Sequence, residues 1–243
     1  MFRARRAAVE ELLAGTGLVP ALGFGGDATV ALSYYEYRDT SVGPYNEVGL
    51  AAFVRPASAP APRLPITDLY RRVAARTIGA YVLDLPVTTP IANAAGRELW
   101  GYPKFVTPIS FHLDRGRFES AIDDPEGAAP IAVLAGRLGL GVPAPAMSLV
   151  TFSVRHGDLV RTHIDVRGRV RARGPGELRL DVGGSRHPMA DRLRRLGLDG
   201  ARPLVVMTTD RFQSRLNAGV VIAERPGGRA VWVPEPRRPV LPS

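Results

Sequence analysis

The sequence predicts an α+β fold in which many antiparallel strands and three or four helices close around a chamber. Three observations carry this. Short runs rich in Val, Leu, Ile and aromatic residues recur between turns marked by Gly and Pro, as antiparallel strands require. Helical periodicity is confined to a few segments, too few to alternate with every strand as a parallel, doubly wound sheet would need. The 243 residues are 45% hydrophobic and 23% charged, without a composition break or an internal repeat. Residues 1–243 are therefore expected to form one domain with a sizeable core.

Ala4 to Ala14 carries an amphipathic helix pattern closed by Gly15 and Gly17, and Ala28 to Tyr37 reads as a strand of Val, Leu and Tyr. Asp39 to Asn46 is a turn, and Glu47 to Val54 is the strand that follows it. Pro56 to Pro65, nearly all Ala and Pro, has no packing face and reads as a loop. A short helix is expected near Thr67 to Arg76, then an apolar strand from Gly79 to Val87. Thr89 as N-cap and Pro90 at the first helical position start a helix that runs through Ala92, Ala95 and Leu99 and stops at Gly101. Pro103 forbids its continuation, so Lys104 opens a strand that reaches Leu113. Further strands are expected at Arg117 to Ile122, Ile131 to Leu138, Leu149 to Val154, Leu159 to Arg173 and Gly176 to Val182. A helix from Pro188 to Leu196 precedes strands at Leu204 to Thr209 and Ala218 to Ala223, and the Pro-rich tail after Val233 reads as loose.

Composition removes several chemistries. With no Cys there is no thiolate nucleophile, no disulfide framework and no cysteine-bound metal. His112, His156, His163 and His187 lack metal-ligand spacing, so neither a metal nor another cofactor is expected. Gly23-Phe24-Gly25-Gly26 has no strand-to-helix context for a dinucleotide, and Gly183-Gly184-Ser185 lacks the nucleophile elbow of serine hydrolases. No stretch is apolar enough to span a membrane, and the basic start meets Glu10 and Glu11 before a signal-peptide core could form, so a cytoplasmic protein is expected.

The net charge is +9, and the densest basic run, Arg167 to Arg173, alternates as a strand with one arginine face. It lacks the interleaved aromatics of a base-stacking surface, so no nucleic-acid partner is expected. Of the 32 basic side chains only Lys104 is a lysine. Arginine keeps its proton under all ordinary conditions, whereas lysine can lose it and become a nucleophilic amine. In a chain that uses Arg almost everywhere, the one Lys is either a chance survivor or marks a position where a free amine is needed.

The segment around that amine, Gly96-Arg97-Glu98-Leu99-Trp100-Gly101-Tyr102-Pro103-Lys104, resembles the active-site segment of the acetoacetate decarboxylase family. Asp39-Thr40-Ser41 through Tyr45-Asn46-Glu47 is similar to the family's upstream segment with its active-site acid, and the segment from His187 to Asp191 and the closing strands fit its C-terminal part. The resemblance implies a cone-shaped, mostly antiparallel β-barrel with flanking helices, assembled as a homo-oligomer. It also implies a Schiff base between Lys104 and a small keto compound, with the amine activated by desolvation or a neighbouring cation. The family's second lysine is replaced here by Phe105, which leaves burial and more distant cations such as Arg97 to free the amine of its proton. The family's N-terminal extension with its active-site arginine is expected to be missing, since the chain begins near the helix that normally follows it.

On this resemblance Lys104 is the nucleophile and Glu47 the general acid/base. Arg97 and Glu98 end a helix beside the turn, where they either meet substrate or pair with each other. Trp100 and Tyr102 border the site or pack the turn, and Phe105 is expected to line the chamber as an apolar wall. The expected activity is carbon–carbon lyase chemistry: decarboxylation, or aldol and dehydration steps. Two other readings stay open, a cyclase or isomerase of specialised metabolism that uses the chamber without an imine, and a non-catalytic binder of small carbonyl compounds.

Overall fold

The computed structural model describes residues 1–23 and 25–224. Strand β1 (Phe2–Ala4) and helix α1 (Arg6–Leu12) precede β2 (Leu18–Pro20), β3 (Ala28–Tyr37) and β4 (Tyr45–Pro56). After α2 (Pro65–Asp68) come β5 (Gly79–Val87), α3 (Pro90–Trp100) and β6 (Lys104–Val106). Then follow β7 (Ile109–Asp114), β8 (Arg117–Ile122), β9 (Ala132–Arg137), β10 (Gly141–Ala144), β11 (Leu149–Arg155), β12 (Asp158–Arg167), β13 (Val170–Arg173) and β14 (Arg179–Val182). Helix α4 (Pro188–Arg195) leads to β15 (Val206–Thr209), β16 (Gln213–Leu216) and β17 (Val220–Ala223).

A ten-stranded sheet runs in the order β1-β3-β4-β5-β11-β12-β16, with β2 on β4, β6 on β5 and β17 on β12. Smaller sheets have the orders β14-β9-β8-β7 and β10-β13-β15. Pairing is antiparallel except at β5, whose one edge is shared lengthwise: Ala80 and Tyr81 pair with β11, while Leu85, Pro86 and Val87 pair with β6, both parallel. The mixed α+β architecture matches expectation. The pairings of the large sheet form an open path from β1 to β16.

The main core lies where β1, β3, β4 and the four-stranded sheet meet α1 and α4, with Val30, Leu50, Ile122, Leu180, Met189 and Leu193 fully buried. Helix α4 shows why it forms: Pro188 occupies the first turn, the His187 ring accepts a hydrogen bond from the Met189 N–H, and Met189, Ala190 and Leu193 line one face. Met189 and Leu193 each contribute on the order of 1.5–3 kcal/mol by leaving water.

Several expected elements change. The helix near Thr67 to Arg76 is instead α2 and a separate 3-10 turn at Val73–Ala75, because the buried Asp68 carboxylate accepts the N–H groups of Thr77 and Ile78 and folds the chain back. The strand Lys104 to Leu113 divides at Thr107-Pro108 into β6 and β7, which belong to different sheets. Pro108 has no N–H to continue a ladder, and the Thr107 hydroxyl donates to the Asp123 carbonyl. The strand Leu159 to Arg173 divides at Gly168, where the Arg211 carbonyl lies 2.1 Å from the position a Cβ would take. The tail after Val233 lies outside the described residues.

Candidate active site

The site starts at the end of α3. Thr89 is its N-cap in backbone conformation only, without a side-chain cap bond, and Pro90 supplies the fixed φ of the first turn. The helix stops at Gly101, in the left-handed region at φ 66°, where a Cβ would lie 2.5 Å from the Val154 carbonyl oxygen. Only glycine makes that turn against that neighbour. Pro103 then sends the chain into β6, with Lys104 in register with Leu85 of β5. The Lys104 side chain lies back across α3 at Gly96, where an added Cβ would meet Cε at 2.4 Å and Cδ at 2.5 Å.

Glu47 reaches the same place from β4. It pairs with Tyr35 on one side and Val87 on the other, and Val87 lies two residues from Leu85, so period-two alternation puts Glu47, Leu85 and Lys104 on one face of the sheet. Lys104 Nζ donates to Glu47 Oε2 at 2.6 Å, and each residue is only 6% exposed. The ammonium lies 5.5 Å from the centre of the Tyr45 ring, within cation–π range. The Tyr37 hydroxyl approaches Glu47 Oε1 at 3.5 Å. Burial keeps these phenols protonated: it pushes Tyr35 up to about 12 and Tyr37 and Tyr45 well upward, with the Glu47 charge adding to all three shifts. The carboxylate therefore sits beside one amine and the neutral hydroxyl of Tyr37.

The other expected residues separate into distinct roles. Arg97 Nη1 donates to the Lys104 carbonyl at 2.9 Å, so it fixes the backbone that carries the amine rather than pairing with Glu98, which is exposed on α3. Trp100 donates through Nε1 to the Asn217 carbonyl at 2.9 Å and stacks on Tyr102 with centroids 6.2 Å apart. Tyr102 shares a 2.7 Å hydrogen bond with Thr151 and is pushed up to about 12 by burial. Both therefore pack the turn. Phe105 does not share the Lys104 face. Its ring lies 4.4 Å from that of His187 and packs against the main core, as alternation along β6 requires, so the expectation of an apolar chamber wall at Phe105 is corrected.

Sequence reasoning missed Gly96, Tyr35, Tyr37, Tyr45 and Phe212. The tyrosines were signalled by the period-two spacing of Tyr35 and Tyr37 and of Tyr45 and Glu47; Phe212 carried no signal. At the turn of the β3–β4 hairpin a hollow of about 400 Å³ is lined by Tyr37, Arg38, Pro44, Tyr45, Asn46 and Thr88 together with Glu36. Two of its walls, Tyr37 and Tyr45, are the rings that adjoin the Lys104–Glu47 pair.

Fold and site together define a strand-rich α+β protein with a buried amine–carboxylate pair at the junction of β4, β5 and β6. Residues 1–201 match the family described as acetoacetate decarboxylase (ADC), and the chain belongs to that family. No curated protein sequence matches it. Among solved structures it is similar to an acetoacetate decarboxylase from Legionella pneumophila, at 16% identity and a TM-score of 0.61 over 91% of this chain and 82% of that one. It is similar to an acetoacetate decarboxylase-like enzyme from Sphingomonas wittichii RW1, at 15% identity and a TM-score of 0.63 over 92% and 89%. A third similar structure is the enduracididine biosynthesis enzyme MppR, complexed with the condensation product of pyruvate and imidazole 4-carboxaldehyde, at 14% identity and a TM-score of 0.61 over 91% and 85%. These likenesses establish the shared fold. No helix among the described residues is long and apolar enough to cross a membrane.

Proposed function

We propose that this protein is an imine-forming carbon–carbon lyase that acts on a small keto compound through Lys104. The observation that carries the reading is the buried contact of 2.6 Å between Lys104 Nζ and Glu47 Oε2. Glu47 takes the proton from the ammonium, and the neutral amine attacks the carbonyl carbon. Glu47 returns that proton to the alkoxide, then relays a second from the attacking nitrogen to the resulting hydroxyl, which leaves as water, and an iminium remains. When the bond from the α-carbon to the leaving group breaks, its electron pair becomes the C=C bond of an enamine and the C=N π pair moves onto nitrogen, while carbon dioxide departs, or an aldehyde once Glu47 has taken its hydroxyl proton. A proton delivered to the enamine carbon restores the iminium, and water hydrolyses it to release the product and the amine.

On the same reading the large sheet curls into a cone around this pair, in a cytoplasmic homo-oligomer that needs no cofactor and no nucleic-acid partner. Ring contact between Phe212, just before β16, and Tyr35 of β3 supports the curl.

The test is reductive trapping. Acetone, pyruvate or acetoacetate with cyanoborohydride is expected to add mass at Lys104 in a peptide map, and Lys104→Arg is expected to abolish it. Glu47→Gln, which keeps the shape and removes the base, is expected to slow trapping by about 10²–10⁴-fold. Modification of the N-terminus with an untouched Lys104 would exclude the imine, and would favour the imine-free enzyme or the carbonyl binder.

A further inference from the structure

Beside the Lys104–Glu47 pair stands a continuous wall of four aromatic rings. Tyr35 and Tyr37 stack with centroids 5.5 Å apart, Tyr37 meets Tyr45 at 4.8 Å, and Phe212 meets Tyr35 at 5.3 Å and Tyr37 at 6.2 Å. Tyr35, Tyr37 and Tyr45 lie on the face that carries Glu47, because Tyr35 is in register with Glu47 and Tyr37 with Tyr45. Phe212 comes from elsewhere. It begins a strap that crosses the site: Leu216 packs on the Tyr102 cluster, the Asn217 carbonyl accepts the Trp100 N–H, and Gly219 leaves room for Val160. This strap lies beyond residues 1–201, the part that matches the family.

We propose that Phe212 is a specificity-determining residue that completes a wall for a flat, conjugated substituent on the carbonyl substrate. The proposal rests on the imine reading above for the identity of the reacting carbonyl, and on the ring wall alone for the substituent. Offset or edge-on ring contacts favour a flat π-system over an aliphatic one. The phenols of the wall stay neutral, since burial raises their titration well above the ordinary range, so the surface suits an uncharged ring. The hollow of about 400 Å³ at the turn of the β3–β4 hairpin adjoins this wall at Tyr37 and Tyr45.

Two probes separate this proposal from the one it rests on. The alcohol 4-phenylbut-3-en-2-ol cannot form an imine, so its binding, measured by calorimetry, reads the wall alone. It is expected to bind the wild type and to lose about tenfold in affinity in Phe212→Ala, the upper range for one aromatic contact, with recovery in Phe212→Trp. In parallel, cyanoborohydride trapping at Lys104 is expected to fall more for 4-phenylbut-3-en-2-one than for acetone, so that the ratio of the two rates drops in the variant. If Phe212→Ala does not fold, Phe212→Leu, which keeps apolar bulk without the ring, is expected to show the same selective loss. Failure of the alcohol to bind the wild type, or equal binding by the ring-deleted variant, overturns the proposal. Ring-dependent binding without any trapping at Lys104 upholds the wall and overturns the imine instead.

Discussion

Replacing Gly96 by Ala tests whether the position of the amine is set by the helix beneath it. Inside α3, Ala is favoured over Gly by about 1 kcal/mol of helix propensity, so local energetics oppose the native residue. The added methyl, however, would lie 2.4 Å from Lys104 Cε, 2.5 Å from Cδ and 3.1 Å from Nζ. Carbon atoms rest at about 3.5–4.0 Å, so the lysine stem must retreat by roughly 1 Å or more. Its backbone cannot follow, since Arg97 holds the Lys104 carbonyl and the Lys104 N–H donates to the Tyr102 carbonyl at 2.8 Å. The side chain must pivot, and Nζ leaves its 2.6 Å contact with Glu47. Misplacing a reacting group by 1 Å costs on the order of 100-fold in rate, about 2.7 kcal/mol of barrier. Stability moves less, because the gain in propensity offsets part of the strain on an ion pair that keeps both partners. Initial rates of acetone trapping at Lys104, followed by mass spectrometry beside a thermal melt, are expected to show a loss of about 100-fold with the fold intact. A Gly96→Ala protein that traps acetone at the wild-type rate would refute the reasoning.

Two further outcomes follow from the same geometry. Burial lifts Asp84 from 3.8 to about 6, against the opposing pull of Arg192. The folded state therefore holds more protons than the unfolded one between those values, and Asp84's contribution to stability falls as pH rises through that window. The fall is on the order of 3 kcal/mol, and denaturant unfolding of Asp84→Asn against pH is expected to lack it. Phe105→Lys puts an ammonium on the far side of β6 against His187. It is expected to lower the melting temperature while acetone trapping at Lys104, measured at fixed pH, keeps the wild-type rate; faster trapping would return Phe105 to the chamber.

The chain's punctuation made its central segment legible. Thr89-Pro90, Gly101 and Pro103 fix where α3 begins and ends and where β6 opens, and those residues act through backbone geometry alone. A single lysine in an arginine-rich chain marked the amine, and the similarity of the Tyr45-Asn46-Glu47 segment marked its partner. What stayed hidden depends on side-chain direction and on distant segments. Phe105 was misread because a one-residue step along a strand reverses the face, and the true extent of β6, only three residues, was not visible in the sequence. Phe212 is separated by more than half the chain from the rings it touches, and no local pattern encodes that encounter. Gly96 opens the segment that resembles the family's, but the reason it must be glycine lies in the Lys104 stem folded over it, which the sequence does not display.

The two sides of β5 show why one cation differs from the other 31. Asp84 and Leu85 are neighbours in sequence and point to opposite faces. On the Asp84 face the buried carboxylate pairs with Arg192 of α4; on the Leu85 face the buried Glu47 pairs with Lys104. Both pairs remove charge from water, and each would be costly to break by deleting one partner. Only one of them can pass its proton across. A guanidinium does not deprotonate in a protein, so the Asp84–Arg192 contact can hold α4 to the sheet but cannot present a nucleophile. An amine can surrender its proton to the carboxylate beside it and then attack. The difference between an anchor and a reactive pair is therefore written in the cation, and the fold supplies the same burial to both.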